Sequence, residues 1–508
     1  MITPTILVRR HLLILLLVAT LGLSPLSLPA QGPGQQSKDV SVSSVERKNL
    51  APVSKDVLRV NIPKPFEAKL ENGLTVLILE DHRAPLVAVS LNISGAGGVY
   101  DPPDLRGLAT TTATMMREGT QSRDSRHLAE QIALLGASVN VSSGFGSAAS
   151  QLSASGLTDN MDDWMTVALD VLFNPSFPAD ELARWKQRQL VQLRNLRSNS
   201  GFLAAERFNR VVYGDHPSSV IMITPEAVNA VTPERMAAWH HERFVPQNAI
   251  LAIVGDVKAS ELMPKIRQWF GGWKRTDLQE VLPPNPKPAT QKKVYLVDRS
   301  ASVQTTLRMG NIAIDRKSPD FIALTVMNRI LGGGPASRLF INLREEKGYT
   351  YGVGSSFSQV KWTGPWQASS SVRTEVTEGA MKEFLYELNR IRNEKVTAQE
   401  LDEAKRAIVG SFARDLESQG TLLNYAMVRK IYGLPADYWD RYPAQISAIT
   451  ADDVQRVARK YINPETMQVV AVGDASKIKA VLEKYGPVEL YDTDGKPVTS
   501  GASSGSNR

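Results

Sequence analysis

Apolar and polar residues follow two alternating patterns along the chain, which predict short strands separated by longer amphipathic helices. Strands are predicted at TVLILEDH from Thr75 and at KVYLVDRS from Lys293, each followed by a second strand, LVAVSLNIS or VQTTLRMG. The helical spacing of apolar residues predicts long helices from Asp180 to Arg197 and from Thr397 to Glu417. Interspersed elements with hairpin-like neighbours predict an α+β fold, an antiparallel sheet with helices packed on one face.

The same order of elements occurs twice, because the two halves of the chain are repeats. At an offset of 218 residues, five residues of the first half fall without a gap on identical residues of the second: Ala230, Thr232, Pro246, Gly255 and Asp256 on Ala448, Thr450, Pro464, Gly473 and Asp474. Between these anchors the offset is 212, which places SRHLAEQIALLGASVNVSSGF over SRLFINLREEKGYTYGVGSSF. The sequence therefore predicts two tandem homologous domains.

The N-terminal segment has the features of a secretory signal. Arg9 and Arg10 precede the apolar run LLILLLVATLGL, and the segment ends in small residues that predict cleavage after Ala30. We therefore expect a periplasmic or secreted protein. The alternative is a retained membrane anchor, because Leu28 fits the cleavage pattern poorly.

Shifts in composition set the expected boundaries along the chain. A polar leader follows the signal, a proline-rich stretch separates the repeats, and a Gly/Ser-rich stretch ends the chain. The expected segments are a signal peptide at 1–30, a leader at 31–61, a first domain at 62–277, a linker at 278–292, a second domain at 293–490 and a flexible tail at 491–508.

Charge and cysteine content narrow the function classes. The 508 residues include 59 Lys and Arg against 52 Asp and Glu, a net charge of +7 without the dense basic run typical of nucleic-acid binding. The absence of cysteine excludes disulfides, thiolate zinc sites and cysteine nucleophiles. Any metal would have to be bound by the six histidines and the carboxylates.

Several short motifs occur in one particular order along residues 62–488. They are NGLTVLILEDHRAP, DPPDLRGLA, the GT at Gly119, GASVNVS, YGDHP at Tyr213, and IVGD and AVGD, which close the two halves. In this order they resemble the pitrilysin/insulinase-type zinc peptidases, the inverzincins, and especially their mitochondrial processing peptidase-like branch. The resemblance implies a duplicated fold and a peptidase function.

The motif that defines this family is altered here. H-x-x-E-H on the first helix provides two zinc ligands and the general base, but in GLATTTATMMREGT its positions are Thr110, Ala113 and Thr114. The third ligand, a glutamate in the family, aligns with Arg194. Threonine is a poor neutral zinc ligand, alanine has no base, and arginine repels a cation. We therefore expect no metal and no catalytic residue in this chain.

A near match to the motif occurs at His127, Glu130 and Gln131. The repeat places this match on the second helix, not the first, and glutamine is a weak ligand. We interpret it as a solvated helix face. A serine-hydrolase G-x-S-x-G pattern occurs only as GASSG in the tail, where no strand-to-helix turn can form around it.

The second half retains residues that contact substrate in the resembling peptidases. Arg344 and Tyr351 in LREEKGYTYGV match the pair that contacts substrate carbonyl groups. The alternative is that Arg344 forms a surface ion pair with Glu345 or Glu346 and that Tyr351 is packed in a sheet. Asn140 lies on the strand 137–143, which resembles the family's peptide-binding edge strand. The resemblance also implies substrate contact by the glycine loop, whose alternative role is a turn: Gly332, Gly333 and Gly334.

Three functional hypotheses follow. The favoured one is a non-catalytic subunit of an exported heterodimeric zinc metallopeptidase, which binds unfolded peptides and completes the active site of a zinc-bearing homologous partner. The second is a structural, scaffold or peptide-binding homologue without a peptidase role. The third is an autonomous hydrolase with an unrecognised site.

Overall fold

A computed structural model of the chain describes residues 59–60 and 62–498. The first six strands form one sheet, ordered β1-β2-β6-β3-β5-β4, and the next six form a second, ordered β12-β7-β11-β8-β10-β9. The strands are β1 Phe66–Lys69, β2 Thr75–Glu80, β3 Leu86–Ser94, β4 Ser138–Ser143, β5 Ala149–Leu157, β6 Ala249–Gly255, β7 Lys293–Asp298, β8 Gln304–Ile314, β9 Thr350–Phe357, β10 Gly364–Arg373, β11 Gln468–Gly473 and β12 Val488–Tyr491.

Among the described residues, each half of the chain contains eight helices. In the first half they are α1 Leu108–Met115, α2 Ser125–Leu134, α3 Met161–Phe173, α4 Ala179–Leu196, α5 Ser200–Tyr213, α6 Pro225–Ala230, α7 Pro233–Arg243 and α8 Ala259–Phe270. In the second they are α9 Phe321–Leu331, α10 Arg338–Phe340, α11 Thr377–Asn393, α12 Ala398–Asp415, α13 Gln419–Tyr432, α14 Tyr438–Ala448, α15 Ala451–Tyr461 and α16 Ala475–Leu482. A π-helical segment, Ile341–Glu346, continues α10.

The structure confirms the α+β fold with two tandem domains. β2 lies 218 residues before β7, and β4 begins 212 residues before β9, as the repeat predicts. Equivalent strands also occupy equivalent places in the two sheets. The repeat also includes helix caps. The side chains of Thr232 and Thr450 each accept a hydrogen bond from the backbone N–H three residues later and so cap the starts of α7 and α15.

Each sheet is mixed, whereas the sequence predicted an antiparallel sheet in each half. β6 inserts between β2 and β3 and is parallel to β2, and β11 is likewise parallel to β7. The predicted hairpin neighbours β2 and β3 therefore do not pair with each other. The physical reason is burial: nearly every residue of β6 is buried, so this strand needs a central position with both faces covered.

Within each half, helices cover one face of the sheet as predicted, but the opposite face is covered by a helix of the other half. Leu423 and Met427 on α13 pack against the first sheet, and Leu203 and Phe208 on α5 pack against the second. The two halves thus exchange helices and interlock.

The expected linker has no helix or strand between residues 278 and 292, but it is bound to both halves. The Leu278 carbonyl accepts hydrogen bonds from Gln247 and Asn248, and Glu280 forms an ion pair with Lys361, with Nζ 2.6 Å from Oε2. The linker therefore joins the halves as a fixed connection.

Residues 491–498, expected to begin the flexible tail, form an ordered turn. The carbonyl groups of Thr493 and Gly495 accept hydrogen bonds from Arg197 and Arg207, so this part of the expected tail is bound to the first half. The expected signal peptide, most of the expected leader and residues 499–508 lie outside the described residues. Among the residues that are described, no helix combines the length and hydrophobicity needed to span a bilayer.

Candidate functional site

Helix α1 carries the altered zinc-motif positions and packs against the edge strand β4. Ala113 is fully buried in the core, while Thr114 is exposed and donates its hydroxyl to the Thr110 carbonyl oxygen at 2.9 Å. The hydroxyl oxygen of Thr110 is buried without a hydrogen-bond partner in the described part of the chain. The helix therefore presents hydroxyl and methyl groups where the family places imidazoles and a carboxylate.

These residues do not fit a zinc ion. Arg194 lies exposed in the last turn of α4, where it can only repel a cation. Over residues 59–60 and 62–498, no group of three or more histidine and carboxylate side chains is arranged to hold a metal. The side chains of α1 offer neither a metal ligand set nor a general base.

A buried carboxylate fixes the start of α1. Asp101 accepts hydrogen bonds from the backbone N–H of Gly107 at 2.7 Å and of Ala109 at 2.8 Å. Gly107 has φ 106°, a conformation that favours glycine, and a Cβ there would lie 3.0 Å from Ile223. Burial raises the pKa of Asp101 to about 6, although the two backbone hydrogen bonds oppose the shift.

Three of the described histidines, His127, His216 and His240, have contacts that are typical of structural or surface residues. His127 is exposed and lies 2.9 Å from the Asp124 carboxylate, so the interpretation of this near match as a solvated helix face is confirmed. His240 contacts the Leu172 carbonyl at 2.8 Å, and His216 packs between Tyr213 and Trp362. Burial lowers the pKa of both His216 and His240 to about 4, so both are neutral at pH 7.

The structure brings Arg344 and Tyr351 together. Arg344 lies in the π-helical segment with Phe340 one turn before it, and its guanidinium carbon is 4.7 Å from the Phe340 ring centroid and 4.8 Å from that of Tyr351. The two rings hold the guanidinium by cation–π contact. The sequence predicted the pair but not Phe340, which its position four residues before Arg344 on a helix could have indicated.

The side chain of Tyr351 extends into solvent from the edge strand β9. It is 88% exposed, and its hydroxyl forms no hydrogen bond with another described residue. The alternative reading of a packed tyrosine is therefore wrong. The alternative also predicted a surface ion pair of Arg344 with a neighbouring glutamate. The structure contains this ion pair, because Arg344 Nε lies 3.4 Å from the carboxylate of Glu345.

Close packing explains why the loop that follows α9 contains glycines. A Cβ on Gly332 would lie 2.5 Å from the backbone N of Ser355 on β9, and a Cβ on Gly333 would lie 2.7 Å from Cα of Arg329. The Gly334 carbonyl accepts a hydrogen bond from the backbone N–H of Ser337, the residue that caps the start of α10. These glycines hold the loop against β9 and α9, and their contact with substrate remains a prediction.

Asn140 lies on the edge strand β4, beside a groove of about 270 Å³. The floor is the face of the first sheet opposite its helices, and the wall is α13 from the second half. The lining includes Ser138, Asn140, Ser153, Ser155, Asn424 and Met427. Sequence analysis missed α13, although VLIL in β2 is buried on both faces and such a run indicates a second covering layer.

The structure thus forms two clusters, Arg344 with Tyr351 on the second sheet and Asn140 with α13 on the first. In the described part of the chain, no hydrogen bond or ion pair joins Arg344 or Tyr351 to Thr110, Thr114 or Asn140. Tyr351 is presented to solvent, and Arg344 beside it is about one-third exposed.

Comparisons with known proteins agree with this geometry. Residues 75–225 match the insulinase family, peptidase family M16, and residues 230–408 match the peptidase M16 inactive domain. A Bacillus subtilis protein named zinc protease YmxG is 22% identical over 399 residues, which are 77% of this chain and 94% of the relative.

Two solved structures share the fold. A peptidase M16 inactive domain from Pseudomonas fluorescens is 26% identical with a TM-score of 0.76, over 82% of this chain and 98% of that one. The periplasmic protease PqqL of Escherichia coli is 16% identical with a TM-score of 0.68, over 84% of this chain and 48% of that one. With its duplicated fold and the matches over both halves, the chain belongs to the insulinase (M16) peptidase family, as a homologue of the inactive type.

Proposed function

We propose that this chain is a non-catalytic subunit of an exported heterodimeric zinc metallopeptidase. The observation that carries the proposal is an asymmetry between the halves: α1 has lost the groups that bind zinc and activate water, whereas Arg344 and Tyr351 remain paired and open to solvent. Two hydrogen-bond donors that lie near no metal site or general base in the described part of the chain suit an active site whose metal and base come from a second protein.

The chemistry of the pair supports this role. The rings of Phe340 and Tyr351 lie on Arg344, which leaves the N–H groups at the edge of the guanidinium to donate to carbonyl oxygens of a peptide. The free hydroxyl of Tyr351 can donate to the oxyanion that develops when water attacks a peptide carbonyl. The zinc and the general base would belong to the partner, a homologous chain with an intact H-x-x-E-H motif.

The proposed location is the periplasm or the exterior of the cell. Residues 1–30 have the pattern of a secretory signal, and PqqL, which shares the fold, is named a periplasmic protease. If the N-terminal segment is retained, it would anchor the chain to the membrane. Unfolded peptides are the proposed substrates.

A matched pair of tyrosine variants tests the proposal. In the heterodimer isolated from the native host, Tyr351→Phe should lower turnover per intact complex by about 10² to 10³, the usual cost of one lost oxyanion donor. The control is Tyr386→Phe on α11, also exposed, which should leave turnover unchanged. Wild-type turnover in Tyr351→Phe at full complex recovery would instead favour the scaffold alternative.

A further inference from the structure

Four helices of the second half line a cavity that lies apart from Arg344 and Tyr351. α9 packs against α12 and α14, and residues of α12, α13 and α14 complete the lining around a volume of about 330 Å³. This volume is at the lower end of the range for small-molecule sites, so a compound of one or two rings fits and a folded partner does not. Neither Arg344 nor Tyr351 lines the cavity, so a ligand there is independent of the proposed function.

Aromatic side chains form one side of this cavity. The ring centroid of Phe412 lies 5.5 Å from that of Tyr425 and 5.0 Å from that of Tyr442. Trp439 stacks on Tyr425 with the ring centroids 4.3 Å apart. Such rings offer flat apolar faces and positively polarised edges, against which another aromatic ring packs well. This side of the cavity therefore favours an aromatic ligand over an aliphatic one.

A buried arginine without an acidic partner lines another side. Arg316 is only 3% exposed, and its Nη2 donates to the Tyr438 hydroxyl at 3.2 Å, whereas its Nε has no partner in the described part of the chain. Its guanidinium carbon lies 3.9 Å from the ring centroid of Phe321, a cation–π contact that offsets part of the cost of burying the charge. Unlike the buried Arg338, which pairs with Glu400 at 2.7 Å, Arg316 has no carboxylate within ion-pair distance among the described residues.

The other charged residues of the lining favour an anion on the arginine side. Arg329 also lines the cavity, where its Nη1 donates to the Gly333 carbonyl at 2.6 Å, and it forms no ion pair with another described residue. The one carboxylate of the lining is Asp415, an exposed residue at the end of α12. Burial raises the pKa of Tyr425 to about 12, and the charge of Asp415 adds to this shift, so the carboxylate lies on the side of Tyr425.

We propose that this cavity binds a small aromatic carboxylate, whose acid group pairs with Arg316 and Arg329 and whose ring packs among the aromatic side chains of α12, α13 and α14. The acid group supplies the counter-charge that Arg316 lacks, through charge-assisted hydrogen bonds to guanidinium N–H groups. The ring displaces water from apolar surfaces, which adds affinity. Asp415 sets the orientation, because it repels an acid group at its own end of the cavity.

Isothermal titration calorimetry on the purified chain tests the proposal with four probes of similar size. Phenylpropionate has both the ring and the acid group. Phenylpropanol replaces the acid with a neutral group, phenylpropylamine replaces it with a cation, and hexanoate lacks the ring. We expect one molecule of phenylpropionate to bind per chain, at least about tenfold more tightly than each of the other three probes.

Arginine variants test which residues hold the acid group. Arg329→Gln should weaken phenylpropionate binding about tenfold and leave the weaker binding of phenylpropanol unchanged, because only the acid group uses the positive charge. The matched control is Arg406→Gln, which removes the same charge from an exposed position of α12 outside the cavity. Arg316→Gln should weaken binding further, and circular dichroism verifies that each variant is folded.

Four results would overturn the proposal. The first two are binding of phenylpropanol or phenylpropylamine as tight as that of phenylpropionate, and equally tight binding of hexanoate, which would reject the aromatic class. The third is an unchanged affinity for phenylpropionate in the folded Arg329→Gln variant. The fourth is the lack of saturable phenylpropionate binding by the folded wild-type chain.

Discussion

At the scale of single residues, the replaced zinc-motif residues and the retained pair Arg344 and Tyr351 contribute differently to the structure. Ala113 and Thr114 are compatible with a folded α1, because alanine fills the core and the Thr114 hydroxyl bonds back to its own helix, whereas the buried Thr110 hydroxyl has no partner among the described residues. Arg344 and Tyr351 contribute little to the core, since Tyr351 is almost wholly exposed. Because Arg344 and Tyr351 do not stabilise the core, they are candidates for a function such as substrate binding.

Arg344→Ala should weaken substrate capture by the assembled peptidase more than it slows the chemical step. A guanidinium that binds backbone carbonyls holds the ground state and the transition state alike, so KM should rise with little change in kcat. Steady-state kinetics on the purified heterodimer measure this. The matched control is Arg188→Ala on the exposed side of α4, and a fall in kcat at constant KM would contradict the assigned role.

Asp101 should make stability depend on pH in a defined direction. Its pKa is raised from 3.8 to about 6 in the folded state, so folding favours the protonated form. Its contribution is fully present below pH 4 and is lost as pH rises through 6. The shift corresponds to about 3 kcal/mol.

The measurement is urea unfolding of wild type and Asp101→Asn between pH 4 and 7. The free energy of unfolding of wild type relative to the variant should fall as pH rises over this range. His216 and His240 have lowered pKa values and act in the opposite direction, but both are present in the two proteins and cancel in the difference. A difference that does not change with pH would refute the assignment to Asp101.

At the scale of elements, the sequence predicted what local patterns determine. β2, β7, α4 and α12 appear within one or two residues of their predicted positions, because alternation and helical periodicity are local properties. The insertion of β6 between β2 and β3, and the placement of α13 on the first sheet, depend on contacts between distant residues. The sequence indicates such contacts only indirectly, through strands that are apolar on both faces.

The exchanged helices should make the two halves unfold together. Phe208 on α5 is fully buried against the second sheet, and a Cβ on Gly310 of β8 would lie 2.9 Å from its ring. Phe208→Ala should therefore lower the free energy of unfolding by about 3 to 5 kcal/mol. Val191→Ala on α4, about half exposed, should change it by at most about 0.5 kcal/mol.

Urea unfolding followed by tryptophan fluorescence and circular dichroism measures both variants. Both halves contain tryptophans, among them Trp164 and Trp366, so a shared transition reports on the whole chain. A loss below about 1 kcal/mol for Phe208→Ala, or two separate transitions in wild type, would show that the exchange of helices does not couple the halves.

At the scale of the whole molecule, the two sheets are equivalent in architecture but not in chemistry. The repeat gives both halves the same strand order, yet one edge carries Asn140 beside a neutral groove and the other carries Tyr351 beside Arg344. The sequence predicted these residues through resemblance to a family. It could not predict the groove, since its floor and its wall come from different halves of the chain.

We propose that this chain completes the active site of a peptidase but does not form an active peptidase alone. The most direct measurement is cleavage of an unstructured peptide by the chain, by its purified zinc-bearing partner and by their mixture. We expect no cleavage by the chain alone, and we expect the mixture to show chelator-sensitive cleavage well above that of the partner alone. A mixture no more active than the partner, or a chain as active alone as in the mixture, would contradict it.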